Sequence, residues 1–237
     1  MKKHVSVLML FAGSTFWKVL GILALLAVAD WGVLYYFSTQ QAMLDQIFNY
    51  GFWVFLVVSA LMTWVLARVG CAYGSQTGYT VWRLRISEKS YFLWQSLYNT
   101  ICYFVLWAVQ AAVLYGFAMW YTTTADPSLI GEQTIFLGFY RSEFAHAVLP
   151  MEDVWMWVRN VTVFIGMGVT SAHFSYQQRF GRHGNEVMVM LVLLEMCFRR
   201  NLEDGSMDIF AIIMAVCLIA LALYRGLKWR SDDENTY

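Results

Sequence analysis

The sequence predicts an all-α, polytopic membrane protein with about six transmembrane helices and a short cytoplasmic interfacial helix between spans two and three. Two observations carry most of this. Of 237 residues, 59% are hydrophobic and only 14% charged, far too few charges to cover a soluble domain. The hydrophobic residues are also gathered into runs close to the 20 or so that a bilayer core requires. The third observation is that the basic residues fall mainly on alternate sides of successive runs, as the positive-inside rule demands of a multi-pass chain.

The first run, 16–37, follows a Met1-Lys2-Lys3 start and a short apolar stretch from Val5 to Ala12. That opening resembles a signal peptide, but the stretch is short and no small-residue cleavage site follows, so the segment is expected to be retained. Further runs lie at 52–69, 94–120, 155–174 and 208–227. A sixth, 186–198, is shorter, contains Glu195, and also fits a half-span or a buried segment. Counting it as a span sorts the charges. Lys2, Lys3, Lys18, Arg68, Arg83, Arg85, Lys89, Arg179, Arg182, Arg225, Lys228 and Arg230 share one side, which the rule makes cytoplasmic, with both termini. The other side carries Asp45, Asp126, Glu132, Glu143, Glu152, Asp153, Glu203, Asp204 and Asp208, with Arg141, Arg159, Arg199 and Arg200 as exceptions. Trp17, Tyr35, Tyr36, Trp120, Tyr121, Trp155, Trp157 and Trp229 fall at span ends, where amphipathic rings suit the headgroup layer.

With only 2 Pro, no Ser/Gly-rich tract and no internal repeat, residues 1–237 read as a single transmembrane domain in the cell membrane. A net charge of zero and scattered basic residues argue against nucleic-acid binding. Cys71, Cys102, Cys197 and Cys217 form no CxxC or Cys/His pair and read as reduced thiols. His146, His173 and His183 lack ligand spacing, so no metal is expected. No phosphate-binding GxxxxGK[ST], GxSxG or HExxH is present, so the chain carries no visible catalytic motif and no cofactor is expected.

The connection after the second run is the most informative stretch. Gly74 and Gly78 allow a turn, Tyr79 to Ile86 suits a short interfacial helix, and Ser87 suits the N-cap of the third span. Tyr79, Trp82 and Ile86 recur at three- and four-residue spacing while Arg83 and Arg85 point elsewhere, a pattern for membrane or partner contact; a solvated basic loop needed only for topology is the alternative. The stretch Thr80-Val-Trp-Arg-Leu-Arg-Ile-Ser-Glu-Lys-Ser-Tyr-Phe-Leu-Trp-Gln resembles the coupling-helix region of type-two (ABC-2 type) ABC exporter permeases. There, a Leu-Pro-Ile-Ser-like stretch between spans two and three meets the ATPase subunit. Leu84, Ile86 and Ser87 match, while Arg85 stands in place of the Pro and Gln95 stands near a common Lys. The resemblance implies two six-span subunits, as a homo- or heterodimer, with a nucleotide-binding ATPase as partner. The family's largest external excursion lies between spans five and six, whereas here it lies between three and four.

That excursion, 122–151, carries Phe136, Phe139, Tyr140, Phe144 and Val148 at helical spacing. It reads as an interfacial helix packed on its neighbours, the alternative being a lid dipping over a central cavity. Asp30 and Glu195 are ionisable groups within apolar runs, each a functional hypothesis by default, and their depths favour structural or interfacial roles. Gly166, Gly168, Thr170 and Ala172 allow close helix approach in the fourth run. Two readings stand beside the exporter: an accessory membrane protein, favoured by the lack of any recognisable buried charge pair, and a secondary transporter using Asp30 or Glu195 as a proton site.

Overall fold

The structure is a computed structural model describing residues 2–40, 43–69, 87–124, 130–131, 133–151, 153–179, 184–199 and 205–228. Among these lie eight helices: α1 (Lys2–Ser38), α2 (Leu44–Ala67), α3 (Glu88–Thr124), α4 (Thr134–Arg141), α5 (Glu143–Val148), α6 (Val154–Arg179), α7 (Glu186–Phe198) and α8 (Gly205–Lys228). The fold is all-α over the described residues.

Four helices are long and apolar enough to cross a membrane: α1 from Leu8, α2, α3, and α8 from Met207. Length and hydropathy thus support four of the six spans expected from the sequence. The fourth run becomes α6, whose 26 residues cover about 39 Å at 1.5 Å per residue. Its polar side chains, among them Arg159, Asn160, Ser171, His173 and Ser175, are buried against other helices, which lowers its hydropathy without exposing it. The sixth candidate run is α7, whose 13 residues reach only about 20 Å, short of a hydrocarbon core of about 30 Å.

The helices also start earlier than the apolar runs suggest. Leu44, Ile47 and Phe48 form a buried stripe that begins α2 well before 52, and nothing between Lys2 and Phe16 breaks α1. Thr15 donates from Oγ1 to the Phe11 carbonyl at 2.7 Å, a bond a threonine makes within a continuing helix.

Side-chain pairs set the helix directions. Phe37 near the end of α1 stacks on Tyr50 near the start of α2 at 3.6 Å between ring centroids, so α1 and α2 are antiparallel. Gln95 in α3 bonds Ser175 near the end of α6, so those two are antiparallel as well. Arg159 and Asp208 join the starts of α6 and α8, while Arg225 and Glu186 join the end of α8 to the start of α7. One end of the bundle thus gathers Val69, Ser87, Arg179, Glu186 and Arg225 and is here termed the basic end. The distal end gathers Ser38, Leu44, Thr124 and Val154.

Helix α6 runs through the middle of the bundle, packed on α3 and α8 along its length and also against α2 and α7. The main core contains Phe48, Phe55, Leu106, Phe117, Phe164 and Phe198. The outward faces are apolar too: Trp17 is 76% exposed and Val28 73%, as lipid-facing residues are when no water-soluble coat is needed.

Candidate functional site

Polar chemistry in this bundle is concentrated along α6. Helix α3 presents Gln95 and Asn99 one turn apart, and the antiparallel α6 presents Ser175 and Ser171 at the same spacing. Gln95 Nε2 donates to Ser175 Oγ at 2.9 Å and Asn99 Nδ2 to Ser171 Oγ at 3.0 Å. All four side chains are buried. One turn further, Gly168 lies on Thr100 so closely that a Cβ there would sit 2.6 Å from the Thr100 nitrogen and 2.7 Å from its Cα. Small residues that let backbones touch, with polar groups bonded across the seam, are a usual solution for helices packed in lipid.

At the basic end this seam holds both roots of the α2–α3 connection. Val69 follows the end of α2, and its carbonyl accepts Ser175 Oγ at 2.6 Å, with Gln95 Nε2 further away at 3.5 Å. On the other root, Arg179 Nη2 donates to Tyr91 OH at 2.8 Å and to Gln95 Oε1 at 3.1 Å, and the guanidinium carbon lies 4.2 Å from the centroid of the Tyr91 ring. Ser87 caps α3, its Oγ accepting from the Ser90 amide at 3.3 Å, the position chosen for it from the sequence. The remaining expected coupling residues, Tyr79, Trp82, Arg83, Leu84, Arg85 and Ile86, lie outside the described residues.

Beside the clamp, Glu186 in the first turn of α7 takes Arg225 at 2.6 Å. Its other carboxylate oxygen lies 3.8 Å from His173 Nδ1, and Gln177 Nε2 meets His173 Nε2 at 3.3 Å. A carboxylate at the N-terminus of α7 is also favoured by the helix dipole. The pairing fixes the short α7 to α6 and α8 at the basic end.

The distal half contains a second polar group. Asp30 is fully buried, and its Oδ2 accepts Gln110 Nε2 at 2.8 Å. Its Oδ1 has no hydrogen-bond partner and faces Gly51, where a Cβ would lie 2.9 Å from that oxygen. Gln110→Leu is expected to destabilise the bundle by about 1–3 kcal/mol, the cost of leaving a buried polar group unpaired, as measured by equilibrium unfolding in bicelles. Glu195 is different: it is 37% exposed, its carboxylate 3.6 Å from Arg199, so the structure places it on the surface near an arginine and away from the interior.

The long excursion breaks in two at Ser142, whose backbone is extended and whose Oγ accepts from the Ala145 amide. Helix α4 stays at the rim, with Phe139 buried and Phe136 50% exposed. Helix α5 dips into the bundle, and Phe144, Ala145, His146, Ala147 and Val148 are all buried. Both helices pack on their neighbours, α4 at the rim and α5 buried within the bundle. The backbone ends of α5 are satisfied by side chains: Asn49 Oδ1 accepts from the Phe144 amide at 3.2 Å, Trp107 Nε1 donates to the Val148 carbonyl at 2.9 Å, and Asn160 Nδ2 donates to the Ala147 carbonyl at 2.7 Å. Phe144 meets Phe198 at the end of α7, with ring centroids 6.5 Å apart. Beside α4 a hollow of about 230 Å³ opens between Leu44, Asp45, Tyr121, Thr134 and Arg141.

Arg159, an exception to the charge alternation, is 1% exposed and pairs with the equally buried Asp208 at 2.7 Å. Asn160 Oδ1 accepts from the same guanidinium at 3.0 and 3.2 Å. The bundle therefore holds the buried charge pair that the sequence did not reveal. Of the small residues in α6, Gly168 meets α3, Gly166 meets Met190 of α7 and Ile219 of α8, Thr170 donates to its own helix at the Gly166 carbonyl, and Ala172 packs with Phe92 and Ala222. Cys102 and Cys217 are free thiols. Among the described residues no cluster of His, Cys, Asp and Glu assembles to hold a metal ion.

Sequence reasoning did not pick out Gln95, Gln110, Ser175 and Arg179 as a group. The signal for Gln95 and Gln110 was polarity inside the run 94–120, for Ser175 a polar residue just past the run 155–174, and for Arg159 its place on the acidic side. The chain shows no significant match to any family model, curated protein or solved structure.

Proposed function

We propose that the chain is the membrane-spanning permease subunit of an ATP-driven exporter, worked by a separate ATPase chain bound to the α2–α3 connection. The observation that carries the reading is that the short helices α5 and α7 meet within the bundle, Phe144 of one lying against Phe198 at the end of the other. Helix ends at membrane depth are tolerated where protein buries them or where they line a path, and discontinuous helices are the elements around which carriers build their sites. In this reading α1, α2, α3, α6, α7 with α5, and α8 make six crossings, both termini are cytoplasmic, and the basic end faces the cytoplasm. Two such subunits, identical or not, enclose the path. ATP hydrolysis belongs to the partner, and coupling is mechanical through alternating access.

The buried Arg159–Asp208 pair removes the one argument that favoured an accessory protein. Topology is tested by single cysteines placed at Tyr79 and at Glu132 in a background without Cys71 and Cys217. Membrane-impermeant maleimide on intact cells is expected to label only the second; labelling of both or of the first alone contradicts the arrangement. The coupling surface is tested by Arg83→Glu combined with Arg85→Glu, expected to release the ATPase while leaving the bundle's thermal unfolding unchanged. Normal ATPase association in that variant would count against the reading.

A further inference from the structure

We infer that α6 is a coupling rod: Ser175, Gln95 and Arg179 clamp it to the roots of the α2–α3 connection, and Asn160 hooks its other end to the inserted helix α5. The inference rests on the permease reading for its purpose, but its mechanical content stands on the geometry alone. Val69 is the last described residue before the connection and Ser87 the first after it. Both roots are tied to successive turns near one end of α6. Ser175 takes the Val69 carbonyl at 2.6 Å, and Arg179, one turn later, takes Tyr91 at 2.8 Å and Gln95 at 3.1 Å. Gln95 bridges the two by donating to Ser175 at 2.9 Å. A displacement of the connection therefore bears on one helix from both of its ends.

That helix is suited to carry the displacement. Between Ser175 and Asn160 it runs about 22 Å at 1.5 Å per residue and holds no proline. It is braced by the Asn99–Ser171 bond at 3.0 Å and by the close approach of Gly168 to Thr100. At the distal end Asn160 Nδ2 takes the Ala147 carbonyl of α5 at 2.7 Å, one of the last carbonyls of a helix, which have no partner within the helix itself. Satisfying orphan backbone carbonyls explains Ser175 and Asn160 singly. It does not explain why one helix ties the roots of one connection to a segment inserted from the opposite side. Ser175, Gln95, Arg179 and Asn160 are positioning residues in this scheme: they hold the rod to what drives it and to what it moves.

Spatial continuity becomes coupling only when a change at one site is read at the other. The test is hydrogen–deuterium exchange of the full chain in nanodiscs, needing no partner, on wild type, Ser175→Ala with Gln95→Leu, Ser175→Thr, and Asn160→Leu. Loosening the clamp is expected to speed exchange at the α5 amides by about fivefold or more, the lower end of coupling between sites, with α8 unchanged, while Ser175→Thr keeps the hydroxyl and the wild-type rate. Because coupling is reciprocal, Asn160→Leu is expected to speed exchange around Val69 and Tyr91. Changes confined to the neighbourhood of each substitution overturn the rod. Should the clamp variant unfold globally, the Asn160→Leu arm decides alone, fast exchange at Val69 and Tyr91 supporting the rod and wild-type rates there refuting it. Failure of any ATPase to co-purify would remove the exporter reading without touching these rates.

Discussion

Asp208→Ala is expected to cost the bundle about 3–5 kcal/mol, the penalty for leaving one partner of a buried ion pair uncompensated. Arg159 and Asp208 are each 1% exposed and meet at 2.7 Å, so water cannot replace the lost carboxylate. Asn160 Oδ1, at 3.0 and 3.2 Å from the guanidinium, supplies a dipole but no countercharge. The loss is expected to loosen the start of α8 from α6 and, through Asn160, the hold on α5. Replacing both partners with apolar residues, Arg159→Met with Asp208→Leu, removes the unpaired charge and is expected to recover most of the loss. Equilibrium unfolding of the two single variants and the double variant in bicelles checks this. A single variant within about 1 kcal/mol of wild type, the range of an exposed pair, would mean that the pair is hydrated.

The second large effect is expected at Gly168. A methyl group there meets Thr100, coming 2.6 Å from its nitrogen and 2.7 Å from its Cα. Backbone cannot rotate aside as a side chain can, so Gly168→Ala is expected near the upper end of the roughly 1–3 kcal/mol cost of overpacking. Separating α3 from α6 also stretches the Asn99–Ser171 bond one turn away. Two comparisons isolate the cause. At Gly166 the nearest atoms belong to the flexible end of Met190, so Gly166→Ala is expected to cost less. At Gly21 on α1 nothing lies within 4 Å, and alanine there is expected to stabilise by up to about 1 kcal/mol through helix propensity. Unfolding measurements that rank Gly168→Ala beside Gly21→Ala would show that the seam is not tight.

The apolar runs made α1, α2, α3 and α8 legible because their lipid-facing sides are hydrophobic whatever they pack against. The run 155–174 read as a span like the others, yet α6 is not among the four helices apolar enough to cross: its partners cover it, so Asn160, Ser171 and Ser175 cost nothing in exposure and lower its hydropathy. Asp30 stood out because a carboxyl in an apolar run is rare, but its partner did not. Gln110 is one neutral amide 80 positions away, and only the packing of α1 on α3 brings them together. Glu195 carried the same signal and sits at the surface, since α7 stops soon after it and Arg199 is one turn on. The break at Ser142 was hidden by a stripe whose spacing continues across it; the serine's cap and Asn49 together turn one amphipathic helix into a rim helix and an inserted one. Arg159 looked like a failure of charge alternation because its countercharge lies 49 residues further on.

An ATP-driven exporter built on this chain needs a second, ATP-hydrolysing chain. The tagged protein, purified from its own membranes in mild detergent, is expected to bring down a nucleotide-binding subunit in stoichiometric amount, identified by mass spectrometry, together with ATPase activity that neither chain shows to the same degree alone. An intact, membrane-inserted protein that purifies with no such subunit and no ATPase activity would contradict the exporter reading.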